Sequence, residues 1–223
     1  MARKRSHVDA CAAAHALDLV GERWALLVVR ELLFGPKRFT DLRAGIPDVS
    51  PNVLGQRLRE LEGAGIVVRR KLAPPAGSRV YELTEWGYEL EAVVLALGRW
   101  GSRSPTRPSG GELSPDALAL ALKSDFDAPA AKAVSARYEL RVGEDRFAVE
   151  VHNGRIEVAR GGAEDPDAVI ATDTQTLPEL LFEGRELDEA MRAGDIGIEG
   201  SKRAVERFLG LFSPPEPAAT ATA

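Results

Sequence analysis

The fold of the N-terminal half is decided by residues 45–63, which read GIPDVSPNVLGQRLRELEG. After a Gly-Ile-Pro turn, Ser50 followed by proline predicts a helix start, because the hydroxyl accepts an unpaired amide and proline needs no amide partner there. Apolar residues then recur at the helical spacing of four and three at Leu54, Leu58 and Leu61. This spacing predicts one buried face of a helix that ends near Gly63.

The elements on either side of this helix predict a winged helix-turn-helix. Helical apolar spacing is found upstream in residues 10–20 and 22–34, and a short helix is expected at residues 39–44. Downstream, β-prone runs at residues 66–72 and 79–84 flank a Pro/Gly-rich tip at residues 73–78, and residues 86–100 return to helical spacing. Two helices joined by a tight turn and followed by a hairpin correspond to a recognition helix and a wing.

The polar face of the 45–63 helix is the predicted DNA-reading surface. Asn52, Gln56 and Arg59 fall opposite the leucines, and amide and guanidinium side chains form bidentate pairs with adenine and guanine edges. The alternative is a merely solvated helix face. Arg57 lies at the flank of the buried stripe, where a phosphate contact and an ion pair with Glu60 or Glu62 are equally compatible with the pattern.

Other basic residues of this half are predicted to contact phosphate. Lys37, Arg38 and Arg79 are interpreted as contacts that position the protein without specifying sequence. The run Arg69-Arg70-Lys71 lies on a predicted strand, where alternate residues point to opposite faces, so at most two of the three can face one DNA backbone. Cys11 lies among alanines and is interpreted as a small packed residue, with a reactive thiol as the alternative.

The C-terminal half predicts a second domain with a mainly antiparallel sheet covered by helices, so the whole chain is α+β. Three alternating strands at residues 137–142, 146–152 and 155–160 form a meander, whose second turn is the hairpin signal Asn153-Gly154. The remaining predicted elements are a strand at residues 168–171, helices at 174–182 and 187–193, a strand at 196–199 and a helix at 201–212. The predicted domains are residues 1–104 and 113–213, with a linker at 105–112 and a disordered tail at 214–223.

Composition separates the two halves and excludes several classes of protein. The net charge of −5 is the sum of two unlike parts. Residues 1–104 contain 16 Lys and Arg against 12 Asp and Glu, whereas the remaining residues contain 13 Lys and Arg against 22 Asp and Glu. A basic head on an acidic body is typical of a DNA-binding module joined to a domain with another role.

No metal, cofactor or catalytic group is predicted, because metal-ligand spacing is lacking at His7, His15 and His152 and a single cysteine excludes an internal disulfide. No signal peptide or membrane span is predicted, which favours a cytoplasmic protein.

Several motifs of the first half, taken in order, resemble the HxlR-type winged helix-turn-helix regulators. These motifs are residues 16–24 (ALDLVGERW), 30–39 (RELLFGPKRF), 57–62 (RLRELE) and 81–87 (YELTEWG). The resemblance implies a homodimer joined through its terminal helices, here residues 10–20 and 86–100, with a recognition helix in the major groove. Such regulators often carry a cysteine at the place of Cys11, some as a redox sensor, but this sequence has no second cysteine to resolve it.

The second half resembles the sterol carrier protein 2 fold over residues 113–212, through residues 167–173 (DAVIATD), 180–185 (LLFEGR) and 194–200 (GDIGIEG). This resemblance implies a cavity for an apolar ligand, lined by Phe147, Val149, Val151, Leu181, Phe182, Met191, Ile198, Phe208 and Leu211. Each of these side chains also fits plain core, because a domain of this size needs most of its large apolar residues to close its interior.

Three functions are compatible with these features. The first is a DNA-binding regulator, acting as a repressor by occlusion, whose C-terminal domain senses an apolar small molecule through contact with the helix ending near Trp100. The second is a lipid-binding or carrier protein whose winged helix mediates protein contacts. The third is an enzyme, for which no catalytic constellation is visible.

Overall fold

The computed structural model describes residues 10–73, 77–106, 113–213 and 216–219. Backbone contacts divide the chain into unit 1, Met1–Val94, and unit 2, Leu95–Ala223. Parts of the predicted wing tip, linker and tail, namely residues 74–76, 107–112, 214–215 and 220–223, lie outside the described residues.

Unit 1 has the predicted order of helices and hairpin. Its elements are α1 (Ala12–Val20), α2 (Ala25–Leu32), α3 (Phe39–Gly45), α4 (Pro51–Gly63), β1 (Val67–Lys71), β2 (Arg79–Leu83), α5 (Glu85–Tyr88) and the start of α6 (Leu90–Ser102). The single helix predicted at residues 86–100 is therefore two helices, interrupted at Glu89. Pairing of β1 with β2 is antiparallel and places Arg69 opposite Tyr81.

The predicted start and buried face of α4 are confirmed. Ser50 Oγ accepts a hydrogen bond from the Val53 amide at 3.4 Å, and proline occupies the first turn. Leu54, Leu58 and Leu61 are at most 1% exposed. They belong to a core that includes Val28 and Leu32 of α2, so α4 is fixed from one side and presents its other side to solvent.

Unit 2 contains the rest of α6, a five-stranded sheet and four further helices. The elements are α7 (Pro115–Ser124), β3 (Ser135–Val142), β4 (Asp145–His152), β5 (Arg155–Arg160), β6 (Ala168–Thr172), α8 (Thr176–Phe182), α9 (Leu187–Ala193), β7 (Gly197–Gly200) and α10 (Lys202–Leu209). α7 was not predicted, although Ser114 accepts a hydrogen bond from the Ala117 amide just as Ser50 caps α4. Buried Asp116 of α7 pairs with Arg160 of β5 at 2.6 Å.

The sheet of unit 2 has the strand order β5-β4-β3-β6-β7, and only β3 and β6 are parallel among the described strands. The predicted Asn-Gly hairpin joins β4 to β5, with φ of 50° at Asn153 and 75° at Gly154. Two successive positive φ angles are what a tight hairpin turn requires, which explains the choice of residues. α10 packs against β6 and β7, and α7 packs against β5.

The division between the units falls inside α6, ahead of the boundary predicted near residue 104. The reason lies in the last turns of α6, where Arg99 Nε donates a hydrogen bond to the Ser124 carbonyl of α7 at 2.7 Å. Residues 95–102 therefore belong to unit 2. In the part of the chain that the structure describes, no helix is both long and apolar enough to cross a membrane.

Candidate DNA interface

The polar face of α4 is exposed as its pattern predicts. Asn52, Gln56 and Arg59 are all exposed, and Gln56 Nε2 donates to Glu60 Oε1 at 3.0 Å. A Cβ atom placed on Gly55 would lie 3.5 Å from Arg59 Nη1, so the arginine side chain extends back along the helix over this glycine. The structure thus brings the three predicted base-reading side chains to one open surface.

This surface forms one wall of a cavity of about 510 Å³ between α4 and the wing. The lining residues are Phe39, Pro51, Asn52, Gly55, Gln56, Arg59, Glu62, Arg69 and Tyr81. Arg69 belongs to the basic run of three residues of which at most two were predicted to face one DNA backbone, and it shares the cavity with all three helix residues. Its neighbour Arg70 pairs instead with Glu82, with Nη2 to Oε1 at 3.1 Å.

Arg57 is held in ion pairs within unit 1. Its side chain is only 11% exposed and forms ion pairs with Glu60 and with Glu22, the latter at 3.3 Å. Of the two alternatives, the local ion pair describes Arg57, with Glu60 as the partner from its own helix. The flank position explains this, because the side chain leans toward the α1–α2 turn that carries Glu22.

Lys37 is also held inside unit 1, which does not fit the predicted phosphate contact. Its side chain is 14% exposed, and its Nζ lies 2.8 Å from Oε2 of Glu31, a residue that is 0% exposed. A buried carboxylate needs a partner, and Lys37 supplies one from inside unit 1. Sequence reasoning missed Glu31, although its place between Val28 and Leu32 on the buried stripe of α2 was a signal.

The remaining predicted phosphate contacts, Arg38 and Arg79, are exposed. The Arg38 amide donates to Asp41 Oδ2 at 3.2 Å at the start of α3, which fixes the backbone and leaves the guanidinium on the surface. Arg79 is the first residue of β2 and pairs with Lys71 across the wing. The phosphate contacts of Arg38 and Arg79 remain predictions.

Apolar side chains are exposed on the helices predicted to form the dimer. They are Leu17 of α1, Trp86 and Tyr88 of α5, and Val93, Leu97 and Trp100 of α6. Trp100 is 76% exposed. Within unit 1, Ala16, Leu19, Val20, Ile66, Trp86, Glu89, Leu90 and Val93 line a mainly apolar groove of about 230 Å³.

Cys11 is exposed at the N-terminus of α1, so its interpretation as a packed residue is wrong. Hydrogen bonds from the backbone amides of Ala13 and Ala14 lower the pKa of its thiol below the ordinary value. Amides at a helix start favour an anion, so the thiolate forms at lower pH than in an unstructured peptide.

The nine residues predicted to line a ligand cavity lie in three environments. Phe147, Val149, Val151, Leu181, Phe208 and Leu211 are buried, Phe182 and Ile198 are half-buried, and Met191 is 38% exposed. Phe208 packs against Tyr138 with ring centroids 4.8 Å apart. A cavity of about 320 Å³ among the described residues of unit 2 is mainly polar, and Val151 is the one residue of this set that lines it.

Tyr138 of β3 is a buried polar group that sequence reasoning missed. Its side chain is 0% exposed, and its Oη has no hydrogen-bond partner among the described residues. Burial raises the pKa of the phenol. A buried hydroxyl without a partner is rare, because it loses its hydrogen bonds to water without replacement.

The geometry of unit 1 defines a winged helix-turn-helix DNA-binding protein. Residues 19–108 match the family model described as HxlR-like helix-turn-helix. YvaP of Bacillus subtilis, an uncharacterized HTH-type transcriptional regulator, is 38% identical over 88 residues, which are 39% of this chain and 81% of the relative. The HTH-type transcriptional regulator YodB of B. subtilis is 39% identical over 88 residues, 40% of this chain and 79% of YodB. The chain belongs to the HxlR-like helix-turn-helix family of transcriptional regulators.

The second half of the chain matches a different family from the one that its sequence resembles. Residues 111–218 match a family model described as alkyl sulfatase C-terminal, and not one for sterol carrier protein 2. A solved structure of the reduced form of YodB from B. subtilis is 34% identical, with a TM-score of 0.40, and covers 45% of this chain and 100% of that chain.

The mixed α+β fold class is confirmed, with a helix-turn-helix domain followed by a mainly antiparallel sheet with helices.

Proposed function

We propose that this regulator binds duplex DNA as a homodimer, with α4 in the major groove and the wing beside it, and that it acts as a repressor by occlusion. The observation that carries this proposal is the open cavity shared by Asn52, Gln56, Arg59 and Arg69. Amide and guanidinium groups on an exposed helix face match base edges, and a nearby wing arginine suits a phosphate.

The test is fluorescence anisotropy with two duplexes at several salt concentrations. One duplex is selected from a random library by the wild-type protein, and the other has random sequence. We expect tighter binding to the selected duplex and, for both, a linear fall of log affinity with log salt. Binding to neither duplex at low salt would contradict the proposal and favour a carrier protein whose winged helix contacts other proteins.

The proposed dimer uses residues 10–20 and 86–100. Its support is the exposed apolar set on α1, α5 and α6, because apolar surface of this kind is usually covered by a partner. A twofold dimer would place two recognition helices about 34–36 Å apart on a palindromic site. Sedimentation of wild type and of Leu17→Glu tests this, and a wild-type monomer at micromolar concentration would contradict it.

The ligand-sensing role of unit 2 is proposed from a different observation, the unpartnered Tyr138 hydroxyl beside Phe208. A sterol-carrier-like domain would take an apolar molecule between its sheet and helices, and a single polar group on that molecule would satisfy the hydroxyl. Phe147, Phe208 and their neighbours would supply the apolar contacts.

Calorimetric titration of fatty acids and polycyclic phenols, with and without the selected duplex, tests this role. Linkage requires that a ligand which changes DNA affinity is itself bound with an affinity changed by the same factor. Tight binding with equal affinity in both arms would make unit 2 a passive lipid holder. Tyr138→Phe should weaken a ligand that carries a polar group and leave DNA binding without ligand unchanged.

A second candidate for the signal is an electrophile that reacts with Cys11. The thiol is exposed, its pKa is lowered by two amides, and a structure of the related YodB is of its quinone-bound form. A thiolate is the nucleophilic form of cysteine, so this position is suited to covalent capture. Loss of the response to a quinone in Cys11→Ser, with ligand binding by unit 2 unchanged, would identify this route.

A further inference from the structure

Among the described residues of unit 1, one charged side chain is fully buried, and the proposed DNA contacts do not explain it. Glu31 of α2 is 0% exposed, although glutamate is almost never fully buried unless it is paired. Its neighbours on the same helix face, Val28 and Leu32, are also 0% exposed, so the charge lies within the apolar core.

Two cations hold this carboxylate from different sides. Arg30 Nε and Nη2 donate to Glu31 Oε1 at 3.1 and 2.9 Å, and Lys37 Nζ donates to Oε2 at 2.8 Å. Arg30 belongs to α2, whereas Lys37 lies in the segment between α2 and α3. Glu31 therefore fixes that segment against α2.

The same cluster reaches the turn that precedes the recognition helix. Arg30 Nη2 donates to the Gly45 carbonyl at 3.3 Å, and a Cβ atom on Gly45 would lie only 2.0 Å from Glu31 Oε2. Glycine at this position lets the carboxylate approach the end of α3. The start of the turn into α4 is thus held by the buried carboxylate and its arginine.

Lys37 connects the cluster to the wing through its backbone. The Lys37 amide donates to the Tyr81 carbonyl at 3.0 Å, and the Tyr81 amide donates to the Lys37 carbonyl at 2.8 Å. Tyr81 pairs with Arg69 across the wing, and both line the cavity beside α4. One buried carboxylate is therefore linked to both walls of the proposed DNA interface.

From this geometry we infer that Glu31, acting through Lys37, is a positioning residue for DNA recognition, and that it sets the distance between α4 and the wing. The inference rests on the proposed DNA-binding function. Lys37 supports binding from inside the protein and neutralises no phosphate, in contrast to exposed Arg38 beside it.

Three variants test the inference. Lys37→Met keeps the aliphatic length of the side chain and the backbone pairing with Tyr81, and Glu31→Gln keeps the shape of the side chain without its charge. The third variant combines both substitutions. Arg38→Gln is the matched surface control, and Lys37→Arg is the conservative replacement. Each is measured by anisotropy on the selected and the random duplex across a salt series, at a temperature where circular dichroism shows the folded protein.

We expect Lys37→Met and Glu31→Gln each to weaken binding to the selected duplex by about tenfold, with less preference over random duplex and an unchanged salt slope. The double variant should be no worse than Glu31→Gln alone, because the ion pair between Lys37 and Glu31 is already lost in that single variant. Lys37→Arg should retain most of the preference. Arg38→Gln should instead lower the salt slope by about one unit on both duplexes.

A lower salt slope for Lys37→Met would overturn the inference, because it would make Lys37 a phosphate contact. Wild-type preference in folded Lys37→Met would also overturn it, and would reduce the cluster to a contribution to stability. If Glu31→Gln does not fold, Lys37→Met decides alone. Failure of wild type to bind either duplex is a separate result that rejects the proposed function itself.

Discussion

One set of predicted site residues lies on the exposed face of α4, and most of the other set lies in the buried interior of unit 2. On α4, Asn52, Gln56 and Arg59 remain open to solvent and share one cavity. In unit 2, six of the nine predicted cavity residues are buried, among them Phe147 and Phe208. Exposed polar groups on a rigid helix indicate a function more directly than apolar residues do, because a core needs apolar residues in any case.

The largest expected effect comes from truncating the buried set. Phe208→Ala should lower the free energy of unfolding of unit 2 by about 3–5 kcal/mol, because the ring packs between Tyr138 and Phe212. Hydrogen exchange of peptides from β3 and β4 in the full chain measures this. Met191→Ala, at an exposed position, is the control and should have little effect. A loss below about 1 kcal/mol for Phe208→Ala would indicate open space around the ring and support a cavity.

A second prediction contrasts two arginines of α4. Arg59→Ala should reduce discrimination between selected and random duplex by about 1–3 kcal/mol and leave the thermal unfolding midpoint unchanged. Arg57→Ala should lower the thermal unfolding midpoint and leave discrimination unchanged, because the Arg57 guanidinium pairs with Glu22 and Glu60 inside unit 1. Anisotropy and thermal denaturation of both variants check this. Equal losses of discrimination would show that the division between the exposed and paired sides of α4 is wrong.

A third and smaller effect is expected in the wing. Arg69→Gln should lower the salt slope of DNA binding by about one unit, because Arg69 lines the cavity beside α4. Arg70→Gln should change the slope less, since Arg70 is already paired with Glu82. The two salt series are directly comparable because the residues are adjacent. A larger change for Arg70→Gln would reverse the assigned faces of β1.

The smallest effect concerns Cys11. Amides of Ala13 and Ala14 lower the pKa of the thiol, so the thiolate forms at lower pH than in an unstructured cysteine peptide. The rate of alkylation by iodoacetamide should therefore rise at lower pH than for that peptide, and mass spectrometry follows the modification. Coincident pH profiles for protein and peptide would contradict the predicted effect of the helix start.

The sequence predicted most elements of both units because apolar spacing reports which side of an element is buried. Leu54, Leu58 and Leu61 gave the buried face of α4, and Asn153-Gly154 gave the β4–β5 turn. α7 escaped prediction although Ser114-Pro115 repeats the Ser50-Pro51 signal. The α7 helix begins directly after the predicted linker, whose Pro and Ser residues are the same types as those of the Ser114-Pro115 helix start.

The roles of individual charged residues were harder to predict, because they depend on which carboxylate the fold brings to each cation. Lys37 and Arg38 are adjacent in sequence, yet one pairs with buried Glu31 and the other is exposed. Arg57 of α4 pairs with Glu22, which lies in the turn between α1 and α2. The helical spacing that buries Glu31 with Val28 and Leu32 was a local signal, but only the fold shows which cation meets each carboxylate.

The position of β6 in the sheet has a consequence for how the chain is made. Synthesis delivers β3, β4 and β5 first, and this meander can pair by itself, but the free edge of β3 is filled only when residues 168–172 emerge. Unpaired strand edges recruit other chains. We therefore expect a product that stops before Ala168 to aggregate in the cell. Pairing with β6 thus determines whether the edge of β3 is covered or left open to other chains.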